Sequence, residues 1–131
     1  MLNDNDHGMK CISRLNGHIY LILGNHDTNG RVLLYEQCPN IDEIVFAKEI
    51  KIGKNYFFLC HYPVVTANYD DDKPWAKHLI NLHGHTHFTE KFYDNNPYMY
   101  NVGLDAHNNY PVEINEIIAD IKERKMQLDR Q

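Results

Sequence analysis

Three largely apolar segments, residues 19–23, 56–60 and 79–82, each run straight into a polar stretch that carries histidine. They deliver Gly24-Asn25-His26-Asp27, Cys60-His61-Tyr62-Pro63 and His83-Gly84-His85-Thr86-His87. The first and third segments read as strands buried on both faces, the pattern of a covered parallel sheet. Helical patterns alternate with the strands, so the expected fold class is α/β. Open α/β sheets bind ligands beyond the carboxyl ends of their strands. All three histidine runs therefore fall where such a fold would build a site.

The remaining elements follow from spacing and turn chemistry. Met9, Ile12 and Leu15 recur three apart, which predicts a short amphipathic helix over residues 6–15, stopped by Asn16-Gly17. Residues 32–37 are expected to be helical. Residues 44–52 and 56–60 read as strands joined at Gly53-Lys54-Asn55 like a hairpin. A helical turn is expected over 74–77, and strands over 88–93 and 98–102 around the turn Asn95-Asn96-Pro97. Asn115 is placed to cap a closing helix over 116–128, with Ile117, Ile118 and Ile121 on one face. No repeat or linker interrupts the chain, so residues 1–131 read as a single domain.

A net charge of −5 argues against a large electrostatic footprint for nucleic acid. No run approaches the roughly 18 apolar residues of a membrane span. The polar, acidic start Met1-Leu2-Asn3-Asp4-Asn5-Asp6 is not a signal peptide. Cys11, Cys38 and Cys60 form an odd set without Cys-x-x-Cys spacing, as expected for reduced thiols in a cytoplasmic protein. Asp70-Asp71-Asp72 reads as a solvated loop, and so do Lys73, Trp75 and Lys77.

The chemistry lies in the three runs. Side chains two apart, as His85 and His87 are, leave an extended backbone on the same side. Gly84 allows a tight turn and the close approach of other groups. Two imidazoles can then reach one metal, or one each of a pair. A lone His-x-His is more often a pair of surface residues. Here Asn25, His26 and His61 also follow strands, at points where core packing has no use for them. The Asn25 amide oxygen is a hard ligand suited to Mn, Mg or Fe, and neutral imidazole suits Mn, Fe, Co or Zn. A mixed O/N set without cysteine describes a catalytic site with open positions. Cys60 adjoins His61 on a strand, so it points to the opposite face and into the core.

Taken together, Gly24-Asn25-His26-Asp27, the histidine of Cys60-His61-Tyr62-Pro63 and Gly84-His85-Thr86-His87 resemble the later motifs of the calcineurin-like metallophosphoesterases. Asn101-Val102-Gly103-Leu104-Asp105 and the segment at Pro111 are similar to the tail of small prokaryotic phosphoesterases in that superfamily. The resemblance implies two stacked β-sheets flanked by helices, an αββα sandwich. It implies a hydrolase of phosphate monoesters or diesters, including nucleotides, with a two-metal site and a bridging hydroxide. The metals would be divalent: manganese first, with Fe, Zn, Ni or Mg as substitutes. Asn25, His61 and His85 would hold one metal and His87 the other. His26 would be the catalytic histidine, and Asp27 would orient its loop.

Two motifs of that family are absent upstream of Gly24: a strand ending in Asp-x-His and a second ending in Gly-Asp. Asp4-Asn5-Asp6-His7 has the letters, but no apolar run precedes it. Residues 6–15 resemble the helix that follows Gly-Asp, so the expectation is a truncated domain lacking its first β-α-β unit, roughly 30 residues. One metal position then keeps three neutral ligands, the other keeps only His87, and two dications without a bridging anion repel each other. Low or absent activity of this chain is the corresponding expectation. The alternative reading is a non-catalytic metal-binding or interaction remnant of such a domain. A metallo-β-lactamase arrangement fits poorly, because Phe88 and Thr89 stand where an Asp-His pair should follow the histidines.

Overall fold

Two sheets and a small number of helices make this a mixed α/β chain. The computed structural model describes residues 10–66 and 79–130. The start of the first expected helix, Asp4 to His7, Asp70-Asp71-Asp72, Lys73, Trp75, Lys77 and the expected turn over 74–77 lie outside the described residues. The chain divides into two compact units, Met1–Lys48 and Glu49–Gln131.

The first unit is a parallel pair joined by a helix. Strand β1 (Ile19–Ile22) pairs with β2 (Ile41–Val45), with Ile19 opposite Ile41 and Ile22 opposite Val45. Helix α1 (Asn29–Tyr35) makes the crossover that a parallel pair requires. Thr28 caps it by accepting a hydrogen bond from the Arg31 N–H at 3.4 Å. Residues 10–13 form a helical turn. Asn40 fastens it by donating to the carbonyls of Ile12 at 2.6 Å and Leu15 at 3.2 Å. The chain leaves that turn through Gly17 at φ +90°, a conformation that favours glycine. β1 departs from the expectation of burial on both faces, since Tyr20 is 48% exposed. The Lys48 ammonium sits 4.9 Å from its ring centroid, which suits a ring with a wet face.

The four-stranded sheet has the order β3-β4-β5-β6. β3 (Ala47–Ile52) turns at Gly53, φ +61°, into β4 (Asn55–Cys60). β5 (Leu79–His83) is parallel to β4, and β6 (Met99–Asn101) is parallel to β5. The carboxyl ends of β4, β5 and β6 therefore lie along one edge. Helix α2 (Ile114–Asp129) buries Ile117 and Ile121 in a core with Phe57, Ile80, Leu82, Tyr98 and Tyr100. Each buried side chain of this size stabilises the fold by about 1.5–3 kcal/mol over its exposed state. Cys60 is buried, as its strand position predicts. Among the described residues no helix is long and apolar enough to cross a membrane.

Three local expectations are corrected. The run over 44–52 is two strands: the chain bends at exposed Phe46, and β2 and β3 belong to different sheets. Residues 88–93 do not form a strand. Phe92 alone bridges to Tyr100, and the chain then coils into a short 3₁₀ turn, Tyr93–Asn95. Asp94 and Asn95 adopt left-handed φ angles of 51° and 57°, which end any extended pairing. The closing helix starts at Ile114, so Asn115 is inside it, and its amide donates to the Glu113 carboxylate at 3.3 Å.

Candidate metal centre

β4 and β5 are parallel neighbours, so the residues that follow them emerge side by side. Their exits are tied by the Gly84 N–H, which donates to the His61 carbonyl at 2.9 Å. Buried Asn81 holds the chain beyond His61, accepting from the Val64 N–H at 3.0 Å and donating to the Phe58 carbonyl at 3.4 Å. The result is a pair of facing imidazoles, with His61 Nε2 lying 3.2 Å from His85 Nδ1. Tyr62 packs against both rings, at centroid distances of 5.1 and 4.8 Å.

At that distance one ring N–H can donate to the other ring's nitrogen, and the same spacing is compatible with a shared cation. Two nitrogens each ~2.1 Å from one metal, at angles between octahedral and tetrahedral, stand ~3.0–3.4 Å apart. Among the described residues no group of three or more His, Cys, Asp or Glu side chains is arranged to hold a metal. The donor set the second unit displays at this point is the two imidazoles.

The extended backbone expected over 84–87 is corrected. β5 ends at His83, and both His85 and His87 are left-handed, at φ 66° and 55°. Such angles cost a non-glycine residue of order 1–3 kcal/mol and cluster at functional loops. The two histidines consequently take different partners. His85 faces His61, whereas His87 Nδ1 lies 3.0 Å from Asp105 Oδ2. Gly84 is under less pressure than expected: an added Cβ would meet His61 Nδ1 at an ordinary 3.9 Å. His83, the first histidine of the run, is core. It is 1% exposed, its Nδ1 lies 3.1 Å from the Gly84 carbonyl, and burial pulls its pKa below the usual imidazole value.

Asn25 and His26 belong to the first unit, on the loop between β1 and α1, and both are exposed. Asp27 ties that loop. Its carboxylate accepts from the Gly24 N–H at 2.7 Å and from the Tyr35 hydroxyl at 2.5 Å. The Arg31 guanidinium donates to the His26 carbonyl at 2.7 Å.

Sequence reasoning passes over Tyr35, and it takes Asn101 and Asp105 only as part of the tail resemblance, without the contacts they make to these loops. The signal for Asn101 is its place at the end of a strand just before a glycine. Nothing local marks Tyr35 or Asp105 as partners of Asp27 and His87. Comparisons with protein-family models, curated proteins and solved structures found no match.

Proposed function

We propose that this chain is a metal-dependent phosphoesterase domain, a hydrolase of phosphate monoesters or diesters. The observation that carries the reading is the His61–His85 pair, with two ring nitrogens 3.2 Å apart beyond the carboxyl ends of adjacent parallel strands. A divalent cation held there, Mn²⁺ before Fe, Zn, Ni or Mg, would polarise a phosphoryl oxygen and acidify water. By the resemblance alone, the Asn25 amide oxygen would be a hard third ligand and His87 would hold a second cation. His26 would stabilise the pentacoordinate phosphorus or protonate the leaving oxygen. The reading carries with it the family's sandwich of two stacked sheets flanked by helices, and it is supported by the resemblance of all three motifs in their order.

The test is Mn²⁺ binding to residues 1–131, by calorimetry or electron paramagnetic resonance, alongside His85→Ala and His61→Ala. The expected result is binding by the wild type and its loss in both variants. Equal Mn²⁺ affinity in all three would sink the proposal. Hydrolysis of an aryl phosphodiester, measured in parallel, separates an enzyme from a metal-binding module: metal bound without turnover in any preparation that carries the site would favour the module.

A further inference from the structure

We propose that Asp105 is the positioning residue for His87, fixing the tautomer and direction of its imidazole so that Nε2 is the nitrogen left to meet a cation. The contact is His87 Nδ1 to Asp105 Oδ2 at 3.0 Å. An ionised carboxylate only accepts hydrogen bonds, so Nδ1 carries the proton. A neutral imidazole has one proton, and Nε2 then presents its lone pair. Carboxylate–histidine pairs tune metal ligands in this way.

The pairing is built rather than incidental. Its members are 18 residues apart, and a single buried side chain joins their segments. Asn101, 2% exposed, donates to the carbonyls of Phe88 and Glu90, each at 3.1 Å, which fixes the irregular segment leaving His87. Its Oδ1 accepts from the Gly103 N–H at 2.9 Å, which fixes the turn entering Asp105. A Cβ on Gly103 would lie 2.9 Å from that same oxygen, so the turn needs a residue without one. His107 Nε2 adds a contact to the Asn101 carbonyl at 2.8 Å. The His87 side chain is 79% exposed, so packing does not set its ring, and the Asp105 bond does. A pair this exposed adds little to stability. Its consequence is orientation.

The role of Nε2 rests on the metal-binding proposal; the tautomer does not. Long-range ¹H–¹⁵N spectra of histidine-labelled, metal-free protein at about pH 8.5, where imidazoles are neutral, read the tautomer directly. Wild type and Asp105→Asn, whose amide oxygen still accepts, are expected to show His87 protonated at Nδ1. Asp105→Ala is expected to move the proton to Nε2, the form that free imidazole side chains favour. The same His87 tautomer in wild type and Asp105→Ala would overturn the inference. In Mn²⁺ or Cd²⁺ titrations, Asp105→Ala should weaken the His87-dependent binding about 10–100-fold, with Asp105→Asn close to wild type. Equal loss in Asp105→Asn and Asp105→Ala would make Asp105 a ligand itself and overturn the positioning role. Absence of metal binding in the wild type, with the tautomer switch intact, would count against the phosphoesterase reading and leave the Asp105–His87 relationship standing.

Discussion

The phenol of Tyr35 donates a 2.5 Å hydrogen bond to Oδ1 of Asp27, while Oδ2 of the same carboxylate accepts from the Gly24 N–H at 2.7 Å. A side chain only 2% exposed, at the last residue of α1, therefore holds the start and the end of the loop that presents Asn25 and His26. The loop lies on the surface, yet its geometry is anchored in the interior. A site on a loop acts reproducibly only where such anchoring exists.

Removing that anchor has a defined cost. Tyr35→Phe should lower stability by roughly 1.5–3 kcal/mol, the range for a hydrogen bond to a charged group. Burial first, and the Asp27 bond second, push the Tyr35 phenol from 10.0 to about 12. The folded chain therefore holds this proton more tightly than the unfolded chain. The stabilisation is complete below pH 10 and is lost as pH rises through about 12. Thermal melts of wild type and Tyr35→Phe should differ at neutral pH and converge across that window. A constant gap up to pH 12 would contradict the assignment.

His26 and His61 should separate metal binding from chemistry. His26→Ala should keep the Mn²⁺ affinity of the wild type and reduce any phosphodiester turnover by roughly 100-fold or more, the scale of a positioned acid–base group. His61→Ala should lose both. Calorimetry beside a chromogenic assay decides the matter, and metal loss in His26→Ala to match that in His61→Ala would make His26 a ligand and overturn its catalytic role.

Asn101 is predicted to be the most sensitive polar residue of the second unit. Asn101→Ala strips a partner from the carbonyls of Phe88 and Glu90 and from the Gly103 N–H. The expected loss is roughly 2–4 kcal/mol, since buried polar groups left without partners are expensive. Gly103→Ala forces a Cβ to 2.9 Å from the Asn101 oxygen, a smaller overpacking cost of about 1–3 kcal/mol. Urea denaturation measures both, and a neutral Asn101→Ala would show that water replaces the amide without penalty.

The sequence by itself placed the strands that matter and the residues at their ends. The apolar runs of β1, β4 and β5 and their histidine-bearing exits were legible because burial and strand length leave a local pattern. The helix over 32–37 and the face of Ile117 and Ile121 were legible for the same reason, to within a few residues at their ends. What the runs could not say is which strands pair. The stretch over 44–52 is uniformly strand-like, and it splits at Phe46 because its halves find different partners. Alternation also misled at His85 and His87, where left-handed backbone turns one ring to His61 and the other to Asp105. The pairs Asp27–Tyr35, His61–His85 and His87–Asp105 are 8, 24 and 18 residues apart. No local period encodes such contacts. They exist because parallel strands bring their carboxyl ends to one edge, and because buried side chains such as Tyr35 and Asn101 must satisfy their polar atoms on whatever backbone the fold brings near.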